Sequence, residues 1–557
     1  MFSTQSDFFK TSQIVAEDFL QTALIVDDQA FLESSFSEKT NSQTNHPEPL
    51  LPPGRQSRAA IPTTNKNNAE NNIASSTDTR LGSHVLDANK VIISFAQKRI
   101  VCSIIKPTRE YNWQNVVEQL AANTDLIILD WEIDNDNGEK TLALLIRILK
   151  ASNEAPEQLK LLAIYTGEPG IADVATVIKN EINQIINPFG GVKEYNDGFT
   201  LAYSSIRIAI FSKPGTTNLP QEYEGRKIEF EELANRVTTE FTMMTAGLVS
   251  NVALKSLAKI RHNTNKIINR FSSSLDAPFL THRIMQINPE DAENLLVELI
   301  AEELRAILDE ESVGQESNID NIRQWLIATN NNGLTLQKND SQTSFSVDEI
   351  TKVLIEGYKT CAKFSLREKE KPHKLLLTAM FMPPWVTDQD LDERFSIITT
   401  LRTHYKNKCP KLTFGTILQN YADKSYWVCI QPRCDSVRIP PERAFPVLPI
   451  IIATTGEKFR LIINDENGSL IRVAIQDKPY NLNQIIFFSK PEDHGTITSK
   501  IIGDHFYFKN KKGRKYRWVG ELRPEQAQRL ANEFATNLSR VGLDESEWLR
   551  LWSTKGK

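Results

Sequence analysis

The sequence contains few cysteines and no long apolar run, and each absence excludes a class of protein. Five cysteines in 557 residues do not suggest a disulfide framework and suit a reducing compartment. The polar segment Met1 to Lys10 lacks the basic start and apolar stretch of a secretory signal. The best candidate for a membrane span, Phe445 to Ala453, is shorter than the ~20 residues required and contains two prolines. We therefore expect a cytoplasmic protein that does not associate with membranes.

An excess of charge of one sign is also missing. The chain has 65 Lys and Arg residues against 70 Asp and Glu, a net charge of −5, so its composition gives no general reason to expect nucleic-acid binding. The sequence shows no helix-turn-helix, P-loop, serine-hydrolase elbow or zinc-protease motif. Neither a conventional transcription factor nor an enzyme of these classes is indicated.

A chain of this length is too long to fold around one ordinary hydrophobic core. Changes in the residue pattern along the sequence predict three regions, at 1–225, 226–370 and 371–557. Within the first region, residues 37–83 are rich in Asn, Ser, Thr and Pro and nearly free of large apolar side chains. Such a segment cannot offset its ordering entropy by burial. We predict a disordered insertion there, since the pattern that resumes after it is incomplete without the strand before it.

Strands and helices alternate around this insertion. Apolar runs predict strands at 23–26, 100–105, 126–129, 161–165 and 206–211, and helical spacing predicts helices at 85–98, 113–120, 138–150 and 171–185. Apolar strands that alternate with helices are typical of a parallel sheet covered on both faces. We therefore predict an α/β fold, with a doubly wound five-stranded parallel sheet in the order 2-1-3-4-5.

In the rest of the chain, the sequence pattern is first helical and then strand-like. Residues 230–271 and 289–310 have helical patterns, whereas from Thr413 onward short strand-like runs predominate. Asn467-Gly468, between two such runs, is a strong hairpin signal. We predict a helical region followed by a β-rich α+β C-terminal domain.

Polar residues follow the predicted parallel strands at their carboxyl ends. Strand one ends in Asp27 and Asp28, strand three in Asp130, strand four in Thr166 and strand five in Lys213. Because strands one and three are neighbours in the predicted order, their three carboxylates converge. Mutual repulsion requires a counter-charge, which a Mg²⁺ ion and the Lys213 ammonium can supply. The sequence therefore predicts an acidic magnesium pocket.

This set of Asp-Asp, Asp, Thr-Gly and Lys-Pro, each at the end of the matching strand, resembles the response-regulator receiver family over about Thr22 to Gly215. The resemblance implies that Asp130 accepts a phosphoryl group from a phosphohistidine, and that Thr166 and Lys213 contact that group. It also implies which groups hold Mg²⁺: the side chains of Asp27, Asp28 and Asp130 and the backbone carbonyl of Glu132.

Two spacings depart from the ordinary receiver pattern. The predicted insertion separates Asp28 from Asp130, and the 47 positions from Thr166 to Lys213 leave room for an extra element. Residues 190–205 predict a small hairpin beside the fourth helix. Receivers usually signal through that surface, so we expect different partner contacts there.

Three other features have simpler interpretations. His262, in a predicted long helix, is interpreted as a surface histidine rather than a phosphotransfer site. Cys429 and Cys434 lack a second pair of ligands, so buried thiols are favoured over a zinc site. The basic and aromatic cluster at 509–518 lies between strand-like runs, which favours a solvated hairpin tip over a nucleic-acid contact.

The whole chain also resembles the effector-less receiver proteins of Detocs, a bacterial antiphage phosphorelay, through its Asn-rich insertion and the segment Trp427 to Asp435. This resemblance implies a phosphate sink, in which Asp130 drains phosphoryl groups from a histidine kinase and competes with a second receiver that carries a toxic effector. Apart from Mg²⁺-dependent acceptance and hydrolysis of that group, we expect no enzyme activity. Two alternatives stay open. One is a phosphorylation-switched effector or nucleic-acid-binding protein that acts through the C-terminal domain, and the other is a pseudo-receiver scaffold.

Overall fold

The chain divides into two compact units, Met1–Pro372 and His373–Lys557. The computed structural model describes residues 2–31, 85–108, 110–154, 159–185, 193–194, 197–203, 205–330, 333–338, 341–357, 374–386, 390–404, 408–454, 457–490, 495–539 and 552. The insertion predicted at 37–83 lies outside these residues. Within the described ranges, no helix is both long enough and apolar enough to cross a membrane.

A seven-stranded sheet forms the centre of the first unit. Its strands are β1 (Thr22–Val26), β2 (Val101–Ile105), β3 (Leu126–Leu129), β4 (Lys160–Thr166), β5 (Lys193–Glu194), β6 (Thr200–Tyr203) and β7 (Ile206–Ser212). They lie in the order β2-β1-β3-β4-β7-β6-β5, and the first five of these are parallel. The predicted five-stranded parallel sheet and its order are confirmed. The hairpin predicted at 190–205 corresponds to β5 and β6, which extend the sheet as antiparallel strands beyond β7.

Helices cover both faces of this sheet. They are α1 (Asp7–Phe19), α2 (Ala88–Gln97), α3 (Trp113–Ala121), α4 (Glu139–Glu154) and α5 (Ile171–Ile185). One hydrophobic core joins α3, α4 and α5 to one face, and a second joins α1 and α2 to the other. The sequence did not predict α1, whose side chains Phe8, Phe9 and Phe19 are buried. This helix completes the second core.

The two ends of the insertion are held together. The Phe31 N–H donates to the Leu86 carbonyl at 3.1 Å, and the Ala88 N–H donates to the Phe31 carbonyl at 3.0 Å. Asp87 then begins α2, because its side chain accepts a hydrogen bond from the Lys90 N–H. Phe31 and the segment 86–88, which flank the residues outside the description, therefore lie side by side.

Further helices complete the first unit. They are α6 (Leu233–Thr245), α7 (Leu248–Arg270), α8 (Asp276–Met285), α9 (Asp291–Glu310), α10 (Ile319–Thr329) and α11 (Val347–Glu356). α6 packs on the same face of the sheet as α1 and α2, where its Glu240 pairs with the buried Arg207 at 2.6 Å. Arg261 of α7 pairs at 3.1 Å with Asp125, the residue before β3. The same unit contains the antiparallel pair of β8 (Leu334–Lys338) and β9 (Ser341–Phe345).

A nine-stranded antiparallel sheet forms the second unit. Its strands are β10 (Thr416–Asn420), β11 (Tyr426–Cys429), β12 (Glu442–Ile452), β13 (Leu461–Asn464), β14 (Leu470–Ile475), β15 (Asn483–Phe488), β16 (Lys500–Ile502), β17 (His505–Lys509) and β18 (Lys515–Glu521). Their order is β13-β14-β12-β11-β10-β18-β17-β16, with β15 paired to β12. Its helices are α12 (Lys374–Phe381), α13 (Leu391–Thr400) and α14 (Pro524–Leu538). Gly468, at a positive φ of 83°, turns β13 into β14 as the hairpin signal predicted.

Candidate functional site

Five polar residues predicted from the sequence meet at the carboxyl edge of the parallel sheet. Asp27 and Asp28 follow β1, Asp130 follows β3, Thr166 ends β4 and Lys213 follows β7. β1 lies beside β3, and β4 lies between β3 and β7. The parallel order therefore brings together residues that are far apart in the sequence.

Lys213 links two of the carboxylates directly. Its Nζ lies 2.7 Å from Asp27 Oδ2 and 2.6 Å from Asp130 Oδ2, and all three side chains are buried. Burial alone would lower the pKa of Lys213, but attraction to Asp130 and then Asp27 raises it. The Lys213 ammonium therefore stays charged, and its one nitrogen atom contacts both carboxylates.

The Asp130 carboxyl is difficult to ionise in this setting. Burial raises its pKa to about 7, and repulsion from Asp27 acts in the same direction, whereas Lys213 lowers it. A single lysine does not offset the negative charge of three converging carboxylates. A further cation would favour the ionised form of Asp130.

Asp28 completes a set of carboxylates that fits such a cation. One oxygen atom from each of Asp27, Asp28 and Asp130 lies within 4.8 Å of the others. Asp28 Oδ2 accepts a hydrogen bond from the Asp134 N–H at 2.8 Å, whereas Oδ1 is buried without a hydrogen-bond partner among the described residues. Burial raises the pKa of Asp28. Clustered carboxylate oxygens with one oxygen left unsatisfied suit Mg²⁺. The role of the Glu132 carbonyl as a further ligand stays a prediction.

Thr166 lies buried at the end of β4, beside Lys213. Its Oγ1 accepts a hydrogen bond from the Glu168 N–H at 3.0 Å, and its carbonyl accepts one from the Lys213 N–H at 2.8 Å. A hydroxyl that accepts one bond can still donate its own hydrogen. On the other face of β4, the Tyr165 hydroxyl donates to the Ile228 carbonyl at 2.7 Å. The strand thus connects the acidic pocket with the segment that leads into α6.

Two glutamates interact next to the pocket. Glu132 lies two residues after Asp130, and Glu168 lies two residues after Thr166. Burial raises the pKa of Glu168, and hydrogen bonding to and repulsion from Glu132 raise it further. Their contact with each other was not predicted from the sequence, because it depends on the loops after β3 and β4.

The sequence reasoning also missed residues that support the pocket. The Thr141 hydroxyl donates to the Asp130 carbonyl at 2.7 Å and holds the loop after β3. Asp134, which supplies its N–H to Asp28, has a positive φ of 59°. A Cβ atom on Gly138 would lie 2.1 Å from the Trp131 ring, so only glycine fits there. The run Asp-Asn-Asp-Asn-Gly at 134–138 carried this turn signal in the sequence.

A comparison with protein families agrees with this geometry. Residues 19–218 match the family model of the response receiver domain. The match covers the receiver domain from the end of α1 to just beyond Lys213 and includes the whole acidic pocket. Neither the search of curated proteins nor the search of solved structures found a match. A receiver domain suggests a response regulator that accepts phosphoryl groups, and receiver domains in general use an acidic pocket to bind Mg²⁺.

The other candidate residues occupy ordinary positions. His262 lies on α7 with its side chain half exposed, 3.7 Å from Asp18 Oδ1. Cys429 is a buried free thiol as expected, whereas the expectation of a buried thiol was wrong for Cys434, which is free and exposed. Among the described residues, Asp27, Asp28 and Asp130 form the one group of three or more side chains arranged to hold a metal ion. Residues 510–514 of the basic cluster at 509–518 form the tip of the hairpin between β17 and β18, as predicted, whereas Tyr516 and Arg517 are buried in β18.

Proposed function

We propose that Asp130 accepts a phosphoryl group from a histidine kinase. The observation that carries the proposal is the Lys213 ammonium held between the Asp27 and Asp130 carboxylates at the strand ends of a receiver domain. Phosphoryl transfer requires an ionised oxygen nucleophile, in-line positioning and positive charge around the transferring group. The pocket contains groups of each kind.

In the proposed reaction, an Asp130 carboxylate oxygen attacks the phosphorus atom of a phosphohistidine. The new P–O bond forms as the P–N bond breaks, and the electron pair of that bond returns to the imidazole nitrogen. Lys213 offsets negative charge on the phosphoryl oxygens, and the Thr166 hydroxyl donates a hydrogen bond to one of them. Mg²⁺, held by Asp27, Asp28, Asp130 and the Glu132 carbonyl, would supply further positive charge to these oxygens.

The same proposal extends to a phosphate sink in an antiphage phosphorelay. A sink has to release its phosphate in order to keep absorbing it. The interacting Glu132 and Glu168 support this role, because carboxylates beside an acyl phosphate can orient water for its hydrolysis. The implied partners are a histidine kinase as donor and a second receiver, fused to a toxic effector, as competitor. Beyond accepting and hydrolysing the phosphoryl group, the chain has no enzymatic role in this proposal.

A cellular experiment distinguishes a sink from a forward transmitter. Asp130→Ala in cells that contain the kinase and the companion effector should cause toxicity, because spurious phosphate is no longer drained from the kinase. Deleting the kinase should abolish this toxicity, and Asp435→Ala, an exposed carboxylate in the second unit, should have no effect. A harmless Asp130→Ala that merely loses phage protection would indicate that the chain transmits the signal forward.

That outcome would favour the alternative, a phosphorylation-switched effector or nucleic-acid-binding protein acting through the second unit. Its supporting observation is the exposed basic tip between β17 and β18, which includes Lys512, Arg514 and Lys515. On the strand before this tip, Tyr507 contacts the exposed Tyr421 ring at a centroid distance of 6.0 Å. Basic side chains beside exposed aromatic rings can bind single-stranded nucleic acid.

A further inference from the structure

The loop between β3 and α4 contacts the acidic pocket through its backbone. The Asp134 N–H donates to Asp28 Oδ2 at 2.8 Å, and Asp28 Oδ1 is buried without a hydrogen-bond partner among the described residues. A hydrogen bond to one oxygen of a carboxylate fixes the orientation of the whole group. The Asp134 N–H therefore orients Asp28 and leaves Oδ1 as the oxygen that can accept a further partner.

This loop has an unusual backbone conformation. Asp134, Asn135 and Asn137 have φ angles of 59°, 56° and 54°, and Gly138 has a φ of 85°. The left-handed region is unfavourable for residues other than glycine, although Asn and Asp tolerate it better than most. Local preference alone therefore does not select this conformation, and side-chain contacts have to stabilise it.

Asp136, which lies between the two left-handed pairs, makes such contacts. Its Oδ1 accepts hydrogen bonds from the Ile133 N–H at 3.2 Å and from the Gly138 N–H at 3.1 Å. Its Oδ2 accepts one from the Lys140 N–H at 2.7 Å. The two oxygens therefore have different roles: Oδ1 joins the two ends of the loop, whereas Oδ2 satisfies an N–H in the first turn of α4.

A second contact within the loop is more exposed to solvent. The Lys140 ammonium donates to Asp134 Oδ2 at 2.7 Å and to the Ile133 carbonyl at 3.3 Å. The side chains of Lys140 and Asp134 are 36% and 47% exposed, and ion pairs that are this exposed contribute little to stability. Asp136, by contrast, is partly buried and bonds to the backbone at both ends of the loop.

We propose that Asp136 is a positioning residue for the magnesium site. By closing the loop 133–138 it places the Asp134 N–H, which in turn orients the Asp28 carboxylate for Mg²⁺. The inference rests on the proposed function, in which Mg²⁺ assists phosphoryl transfer to Asp130. Residues that orient a metal ligand without contacting the metal commonly change its affinity about tenfold or more when they are replaced. Asp136 should therefore control Mg²⁺ affinity from outside the pocket.

Two substitutions distinguish positioning from a simple effect of charge. Asp136→Asn removes the negative charge, but its amide oxygen can still accept the two hydrogen bonds that close the loop. Asp136→Glu keeps the charge, but its additional methylene displaces the carboxylate from the two donors. Isothermal titration calorimetry of the unphosphorylated full-length chain measures Mg²⁺ affinity directly. The affinity should stay within about twofold of the wild type in Asp136→Asn and fall about tenfold in Asp136→Glu. A purely electrostatic effect would give the reverse order.

Asn318→Ala is the matched control. It removes a helix-capping side chain, which accepts a hydrogen bond from the Asn321 N–H at 2.9 Å, from a helix of the same unit that contributes no residue to the pocket. Its Mg²⁺ affinity should equal that of the wild type. Circular dichroism establishes that each variant is folded. If Asp136→Glu does not fold, Asp136→Ala, which adds no volume, replaces it with the same expectation.

The labelling rate separates this proposal from the acceptor role of Asp130. In Asp136→Glu, the Mg²⁺ concentration for half-maximal labelling should rise about tenfold, whereas the rate at saturating Mg²⁺ should stay near that of the wild type. A wild type that binds Mg²⁺ but takes no label would refute the acceptor role, and calorimetry would still decide the role of Asp136. Unchanged Mg²⁺ affinity in Asp136→Glu, or an equal loss in Asp136→Asn or Asn318→Ala, would overturn the proposal. A wild type that binds no Mg²⁺ would do the same.

Discussion

The two units of the chain bury polar side chains in different ways. In the first, Asp27, Asp130 and Lys213 converge at the ends of strands and leave an oxygen of Asp28 unsatisfied. In the second, Arg517 donates to Gln419 at 2.8 Å, and Gln419 donates to the Tyr426 hydroxyl at 3.0 Å. The second group crosses three adjacent strands and its members satisfy one another. The convergence of several charged side chains at the ends of strands, rather than burial of polar groups as such, distinguishes the candidate site.

The largest expected effect tests whether acceptance of a phosphoryl group is confined to the first unit. Asp130→Asn should reduce labelling by phospho-kinase or acetyl phosphate to background, because in the proposed site the remaining carboxylates hold the metal. Asp435→Asn in the second unit should label as the wild type does. Phosphotransfer followed by intact mass measures both variants. Retained labelling of a folded Asp130→Asn protein would place the acceptor elsewhere.

A smaller effect is expected when the unsatisfied carboxylate is removed. Asp28→Asn should raise the Mg²⁺ concentration for half-maximal labelling about tenfold, which corresponds to the loss of about 1.4 kcal/mol of binding free energy. Asp134→Asn is the control, since Asp134 contacts Asp28 through its backbone N–H. A titration of labelling rate against Mg²⁺ distinguishes the two. An unchanged Mg²⁺ dependence in Asp28→Asn would show that the metal binds at another position.

The glutamate pair should affect the lifetime of the phosphoprotein rather than its formation. Replacing both Glu132 and Glu168 by Gln should slow hydrolysis of the phosphorylated protein about threefold to tenfold, because neutral amides orient water less effectively. The initial labelling rate should change little. Loss of label after removal of the donor measures this lifetime. Equal lifetimes in the variant and the wild type would remove the support that the pair gives to a sink.

The smallest effect is expected from deleting residues 41–79. The hydrogen bonds of Phe31 with Leu86 and Ala88 already hold the ends of the insertion together. The cost of closing a flexible loop grows only slowly with its length. The deletion should change the free energy of unfolding by less than about 1 kcal/mol and leave labelling intact. Denaturant unfolding of both forms checks this, and a much larger loss of stability would indicate structure within the segment.

Much of the first unit could be predicted because its signals are local. Apolar runs that end in Asp27, Asp130 and Lys213 fix both the strands and the side chains at their ends, and the parallel order follows from alternation with helices. α1 was missed because its phenylalanines stand within a polar segment, so they become a pattern only when two other helices pack against them. The contact between Glu132 and Glu168 was missed because it depends on two loops from different strands.

In the second unit, the sequence predicted secondary structure but no functional residue. Strand-like runs from Thr413 onward and the turn at Gly468 were predicted from alternation and turn residues, but β15 and β16 were not. No residue of this unit could be given a role. Antiparallel strands alternate in direction along a sheet, so strand ends do not collect polar residues at one edge. The sequence therefore predicted the β-rich class of the second unit but gave no indication of its function.

The single strand β3 separates two aspartates with unrelated tasks. Asp125, before the strand, pairs with Arg261 of α7 and accepts hydrogen bonds from the backbone at the start of β1. Asp130, after the strand, belongs to the acidic pocket. Four residues of β3, about 13 Å of extended chain, thus keep the anchor of α7 at the opposite edge of the sheet from the acidic pocket. A substitution that alters the contact between α7 and Asp125 therefore does not touch the acidic pocket.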